Sequence, residues 1–143
     1  MGIFSDLAGF AGESLRSKKA DEINANLDRE TSEWLAAITQ AAEGGNTEAM
    51  FQLGDAYYQG KRLGYDPDKA CFWWTEAARR HHINAQFNLG LLYHGDLSNF
   101  YYDPDKAGTW FYAAAKSGDQ EAKEMLNRYY KYSHFRDKWV RKD

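Results

Sequence analysis

Apolar residues along this chain fall mostly at helical spacing. Ala49, Leu53, Gly54 and Tyr57 stand at i, i+4, i+5 and i+8, which is one face of a helix. The same residue types return as Ala85, Leu89, Gly90 and Tyr93, each 36 positions on. A second stripe, with Trp73, Trp74, Ala77 and Ala78, returns 37 positions on as Trp110, Phe111, Ala114 and Ala115. Asp66-Pro67-Asp68-Lys69-Ala70 returns as Asp103-Pro104-Asp105-Lys106-Ala107, also 37 on. The one-residue slip therefore lies between Tyr93 and Asp103, where a loop is predicted. Half-copies flank the two units: Ala41-Ala42-Glu43-Gly44-Gly45 before them, and Ala122 with Leu126 after them.

Each unit predicts two helices. The pattern places helices over about Ser32–Ala42, Thr47–Tyr58, Pro67–Arg80, Ile83–Tyr93, Pro104–Lys116 and Gln120–Tyr132. Asp66 and Asp103 are suited to N-capping, and proline fits the first helical position because its missing N–H would be unpaired there anyway. Asp68 and Asp105 place negative charge at the positive end of the helix dipole. Gly54 and Gly90 sit inside helices, where glycine costs about 1 kcal/mol relative to alanine. Their recurrence at one register predicts the close approach of a second helix, with Trp73 and Trp110 expected to fill the space. Gly118 is expected to end the last second helix. Helix pairs of this kind cannot bury their apolar faces alone, so they stack. The predicted fold is all-α: a short α-solenoid of about two full helix-pair repeats with flanking half-repeats.

These motifs resemble the Sel1-like repeat family, relatives of the tetratricopeptide repeats. The family pattern runs A-x-x-x-L-G-x-x-Y-x-x-G, a loop, then D-x-x-K-A-x-x-W-x-x-x-A-A. Residues 49–78 follow it, including Gly60. Residues 85–115 follow it with one departure: Asp96 stands where that glycine is due, and Gly95 is one earlier. The second turn is thus expected to differ in shape. The resemblance implies an α-solenoid that binds proteins or peptides on its concave face, and it implies no catalytic residues.

Outside the repeats, residues 1–30 carry a short apolar stripe (Ile3, Phe4, Leu7, Phe10) and then a weakly amphipathic stretch with Leu15, Ile23 and Leu27. This segment reads as a capping helix or as an arm that docks on a partner. Residues 31–132 read as the repeat solenoid, and residues 133–143 as a basic, aromatic tail. Phe135 and Trp139 in that tail have the spacing of one helix face.

Composition narrows the function. The chain has 143 residues, 43% of them hydrophobic and 27% charged, which suits one globular domain of roughly 150 residues. The aromatic share of 16% is high, and inter-helix packing accounts for most of it. The net charge of −3 argues against a nucleic-acid binder. Charge is uneven: residues 123–143 hold seven basic against three acidic side chains, leaving −7 on the rest. The tail reads as a solvated basic edge, or as a contact for an acidic partner or RNA. The single Cys71 allows no internal disulfide and fits a reducing compartment. The first basic residue is Arg16, so the start lacks the charged region of a secretory signal, and no run reaches the roughly 18 apolar residues of a membrane span. A cytoplasmic location is expected.

The four histidines (His81, His82, His94, His134) lack metal-ligand spacing, so no metal site is expected. Cys71 sits in an apolar run suited to packing, where a thiol is inert. No phosphate-binding glycine loop or nucleophile motif occurs. No catalytic residue or cofactor is expected.

The favoured function is a non-catalytic protein-interaction module for one dedicated partner, as an adaptor or an immunity-type inhibitor. The alternative is a structural protein that self-associates through its N-terminal apolar segment, although a monomer is favoured. On helix geometry, the binding face is expected to carry Gln52, Asp55 and Tyr58, then Asn88, Leu91 and His94, then Met125 and Arg128.

Overall fold

The computed structural model describes Glu22, Ala25, Asn26, residues 28–97 and residues 99–143. The chain divides into two compact units, residues 1–37 and 38–143. The expectations for Ile3, Phe4, Leu7, Phe10, Leu15, Ile23 and Leu27 lie outside the described residues. Residues 28–43 are helical (α1). Five helices follow: α2 Thr47–Gln59, α3 Pro67–Arg79, α4 Ile83–His94, α5 Pro104–Lys116 and α6 Gln120–Tyr129. None of the described helices is long and apolar enough to cross a membrane.

The chain then departs from helix. The helix expected to reach Tyr132 stops at Tyr129, and β1 (Tyr130–Ser133) pairs with β2 (Lys138–Arg141) as an antiparallel hairpin. Tyr130 faces Arg141, and Tyr132 faces Trp139. Tyr, Trp and Val favour the pleated backbone, and Asp137 takes a left-handed conformation in the turn (φ 51°). Phe135 and Trp139 therefore share no helix face. Phe135 projects from the turn, 98% exposed, while Trp139 lies against α5, its ring 5.3 Å from that of Tyr112. The hairpin follows α6 where a second helix would be due, and it packs on α5.

The repeated motif works as a local machine. The Asp66 and Asp103 side chains accept from the Lys69 and Lys106 backbone N–H groups (3.0 and 3.1 Å), capping α3 and α5. Their own N–H groups donate to the carbonyls of Tyr57 and Tyr93 (2.9 and 2.8 Å), closing each loop back on the preceding helix. Lys69 and Lys106 then lie over the Tyr57 and Tyr93 rings. The turns leading into α2, α4 and α6 are also equivalent. Gly45, His81 and Gly118 all have positive φ (96°, 66° and 105°), and the next residues, Asn46, His82 and Asp119, cap the helices with their side chains. The loop after α4 differs as the displaced glycine implies. α4 is one residue shorter than α2 and is capped by Gly95, and its loop, containing the 3-10 turn Asn99–Tyr101, is two residues longer.

Packing is set by the helical glycines. A Cβ on Gly54 would lie 2.3 Å from Trp74 Cδ1, and one on Gly90 would lie 2.5 Å from Phe111 Cδ1. The filling residues are thus Trp74 and Phe111, not Trp73 and Trp110, which are only half-buried. The reason is helical phase. Trp74 lies four residues from both Ala70 and Ala78, at the centre of the buried stripe, and Phe111 holds the same place between Ala107 and Ala115. Ala49, Leu53, Ala85 and Leu89 are buried.

Gly90→Ala forces Phe111 or a helix to move. It should lower stability by roughly 1–3 kcal/mol in urea denaturation. Gly64→Ala is the control, since its Cβ meets nothing within 4 Å, and it should leave the midpoint unchanged or slightly higher.

Candidate functional site

The expected face does not behave as one surface. Near α2 it has turned into packing. Asp55 accepts from the Trp74 indole Nε1–H (3.0 Å) and the Asn88 side-chain amide (3.3 Å), tying α2 to α3 and α4. Burial raises its carboxyl above the ordinary value, an effect partly offset by the indole hydrogen bond. Tyr58 donates to the Leu97 carbonyl (3.1 Å), and its ring packs on Trp74 and Tyr65. Gln52 remains exposed and donates to Glu48 (3.0 Å).

His94 is buried. Its Nδ1 shares a hydrogen bond with the Tyr130 hydroxyl (2.5 Å), and its ring packs among Phe111, Tyr129 and Tyr130. Burial is the first cause holding its imidazole below the ordinary 6.5; Asp96 opposes this and Arg141 adds to it. Burial likewise pushes the Tyr130 phenol up. Repeat geometry explains the placement. His94 stands 36 residues after Tyr58, and both pack on the bulky residue seated over the helical glycine.

Leu91, Met125 and Arg128 do come together. With Phe87, Glu121 and Glu124 they line an open groove of about 450 Å³ between α4 and α6. Phe87, Leu91 and Met125 are half-buried, whereas Glu121, Glu124 and Arg128 are exposed. The groove thus has an apolar floor and a charged rim, the arrangement of a recognition surface. Sequence reasoning missed Phe87, Glu121 and Glu124. Their spacing pointed to them, since Phe87 lies four residues before Leu91 and Glu121 four before Met125.

Acidic character extends to α2. Glu48 is held below the ordinary carboxylate value, first by its hydrogen bond with His82 Nε2 (3.0 Å) and then by Gln52. Cys71 is half-buried, its Sγ 3.5 Å from the Tyr93 hydroxyl. Among the described residues no cluster of three or more His, Cys, Asp or Glu is placed to hold a metal ion.

Comparison with known proteins agrees with this architecture. The family described as Sel1 repeat matches residues 47–82 and 83–119. A Sel1 repeat protein from Oxalobacter formigenes is 31% identical over 67% of this chain and 71% of its own, with a TM-score of 0.60. A protective antigen of uropathogenic Escherichia coli displaying an SLR fold is 30% identical over 64% of this chain, with a TM-score of 0.59. This chain spans only 20% of that antigen's length. No curated protein matches the sequence.

Two outcomes follow from the buried polar groups. Asp55→Ala strands the Trp74 and Asn88 donors and should cost about 1–3 kcal/mol in urea unfolding at neutral pH, whereas Asp55→Asn keeps an acceptor and should cost far less. For His94, the unfolded chain takes up its proton first as pH falls. The stability tied to neutral His94 is full above 6.5 and is lost as pH drops through the window below. Thermal melts between about pH 7.5 and 5 should therefore show a shallower acid loss for His94→Gln than for the unaltered protein.

Proposed function

Because the chain belongs to the Sel1 repeat family, we propose that it is a non-catalytic module that holds one dedicated protein partner in the groove between α4 and α6. Folds of this family are generally protein-interaction modules and generally non-catalytic. The observation that carries the reading is the convergence of Leu91 and Met125 on an apolar floor rimmed by Glu121, Glu124 and Arg128. Apolar anchors inside a charged rim suit a short partner segment, with the rim selecting for charge. A single short groove between α4 and α6 favours a single partner segment, bridged as an adaptor would or blocked as an immunity protein would. The lone Cys71 fits a cytoplasmic setting, and the net charge offers little to nucleic acid.

Affinity capture from the native host, read by mass spectrometry, tests this. Leu91→Glu with Met125→Glu should weaken retention of one stoichiometric partner by about tenfold or more. Circular dichroism of the double variant should remain that of the folded protein. Full retention by the folded double variant would remove the groove from the binding surface.

A further inference from the structure

The rim of the groove between α4 and α6 has its charges sorted by sign. Glu121 and Glu124 stand toward the start of α6, and Arg128 stands in its last turn. Arg128 comes four residues after Glu124 and seven after Glu121, roughly 6 and 10 Å along the helix. None of the three is neutralised by an opposite charge. Among the described residues neither carboxylate makes an ion pair or a side-chain hydrogen bond, and Arg128 lies only over the neighbouring Tyr129 ring, 5.9 Å from its centre. By contrast Asp66, Asp103 and Asp119 cap helices, and Glu76 and Asp105 hold cations. The floor follows the same order. Leu89 and Leu126 are buried equivalents, so by repeat register Phe87 corresponds to Glu124 and Leu91 to Arg128. Half-buried apolar surface from Phe87, Leu91 and Met125 therefore accompanies the rim from its acidic end to its basic end. The dipole of α6 favours this order of charge by itself, but it gives no reason for an open apolar floor beside it.

We infer, on the reading of this groove as the binding site, that the partner segment is amphipathic and of mixed charge. It is basic at one end and acidic at the other, with large aliphatic side chains between. Its lysine or arginine meets Glu121 and Glu124, its aliphatic residues lie on Phe87, Leu91 and Met125, and its carboxylate meets Arg128. An extended chain advances about 3.3 Å per residue, so two or three residues separate the charged positions. The groove, of about 450 Å³, admits the aliphatic side chains of such a stretch. Opposite charges at its two ends fix which end of the segment lies where, and the apolar floor alone would not. A segment acidic throughout meets two unpaired carboxylates and is rejected.

Titration of the full chain, labelled with 13C at its methionine methyl groups, tests this. Met125→Leu identifies the groove signal, and Met50, buried in α2, is the reference. Three peptides with blocked ends are compared: Lys-Lys-Leu-Leu-Glu, the acidic Glu-Glu-Leu-Leu-Glu and the polar Lys-Lys-Ser-Ser-Glu. The first should shift the Met125 methyl saturably and leave Met50 in place, and the other two should bind at least about tenfold more weakly. Glu121→Gln with Glu124→Gln keeps the side-chain shape and should weaken the first peptide by about tenfold or more. Glu121→Lys with Glu124→Lys should bring in the acidic peptide instead. Equal affinity for the first peptide and either counterpart overturns the assignment, as does unchanged affinity in the glutamine variant or the absence of a saturable Met125 shift. The groove itself is judged separately, by whether Leu91→Glu with Met125→Glu retains the native partner.

Discussion

The second helix of each pair can lie close to the first only where the first has no Cβ. Gly54 and Gly90 provide that gap, and Trp74 and Phe111 fill it. The remaining contacts depend on this approach. It buries Ala70, Ala77 and Ala78 in one pair and Ala107, Ala114 and Ala115 in the next, positions where longer side chains would hold the helices apart. It brings the Trp74 indole within reach of Asp55, so a polar group on α2 becomes a buried tie. A third close approach, of Trp139 and Tyr130 over Gly108, seats the hairpin on α5.

The same geometry decides which residues remain available for recognition. Side chains near the glycine contact, such as Asp55, Tyr58 and His94, are drawn into hydrogen bonds and ring packing. Leu91, which holds the register of Asp55 in the next repeat, and Met125 stay half-open instead and edge a groove. On the second helices Trp110 is one position before Phe111 and escapes the crowded site.

Much of the fold was legible because the repeat states its own constraints twice. The Asp-Pro-Asp-Lys-Ala segments marked the starts of α3 and α5, and the paired glycines marked the close approaches. The choice between Trp73 and Trp74 was not settled by recurrence, since both members of the aromatic pair recur. Only the phase set by Ala70 and Ala78 separates them. The hairpin was missed although Tyr130, Tyr132, Trp139 and Val140 favour strand, because α6 runs up to Tyr129 with helical spacing and masks the change of period. The binding face was legible only in part. Helix geometry says which way a side chain leaves its own helix, but not whether the neighbouring repeat covers it, and burial of His94 by Tyr130 depends on the hairpin.

The principal contacts run between elements adjacent in chain order: α2 with α3, α3 with α4, α4 with α5, α5 with α6, and β1 with β2. The main step beyond a neighbour is from α5 to β2, across α6 and β1. Each contact therefore closes a short loop, and the entropy lost on closure stays small at every stage. Such a chain resembles a row of linked units more than a globule with one centre. Opening the hairpin end leaves the contact between Gly54 and Trp74 untouched, so the two ends of the array can differ in local stability while the middle holds.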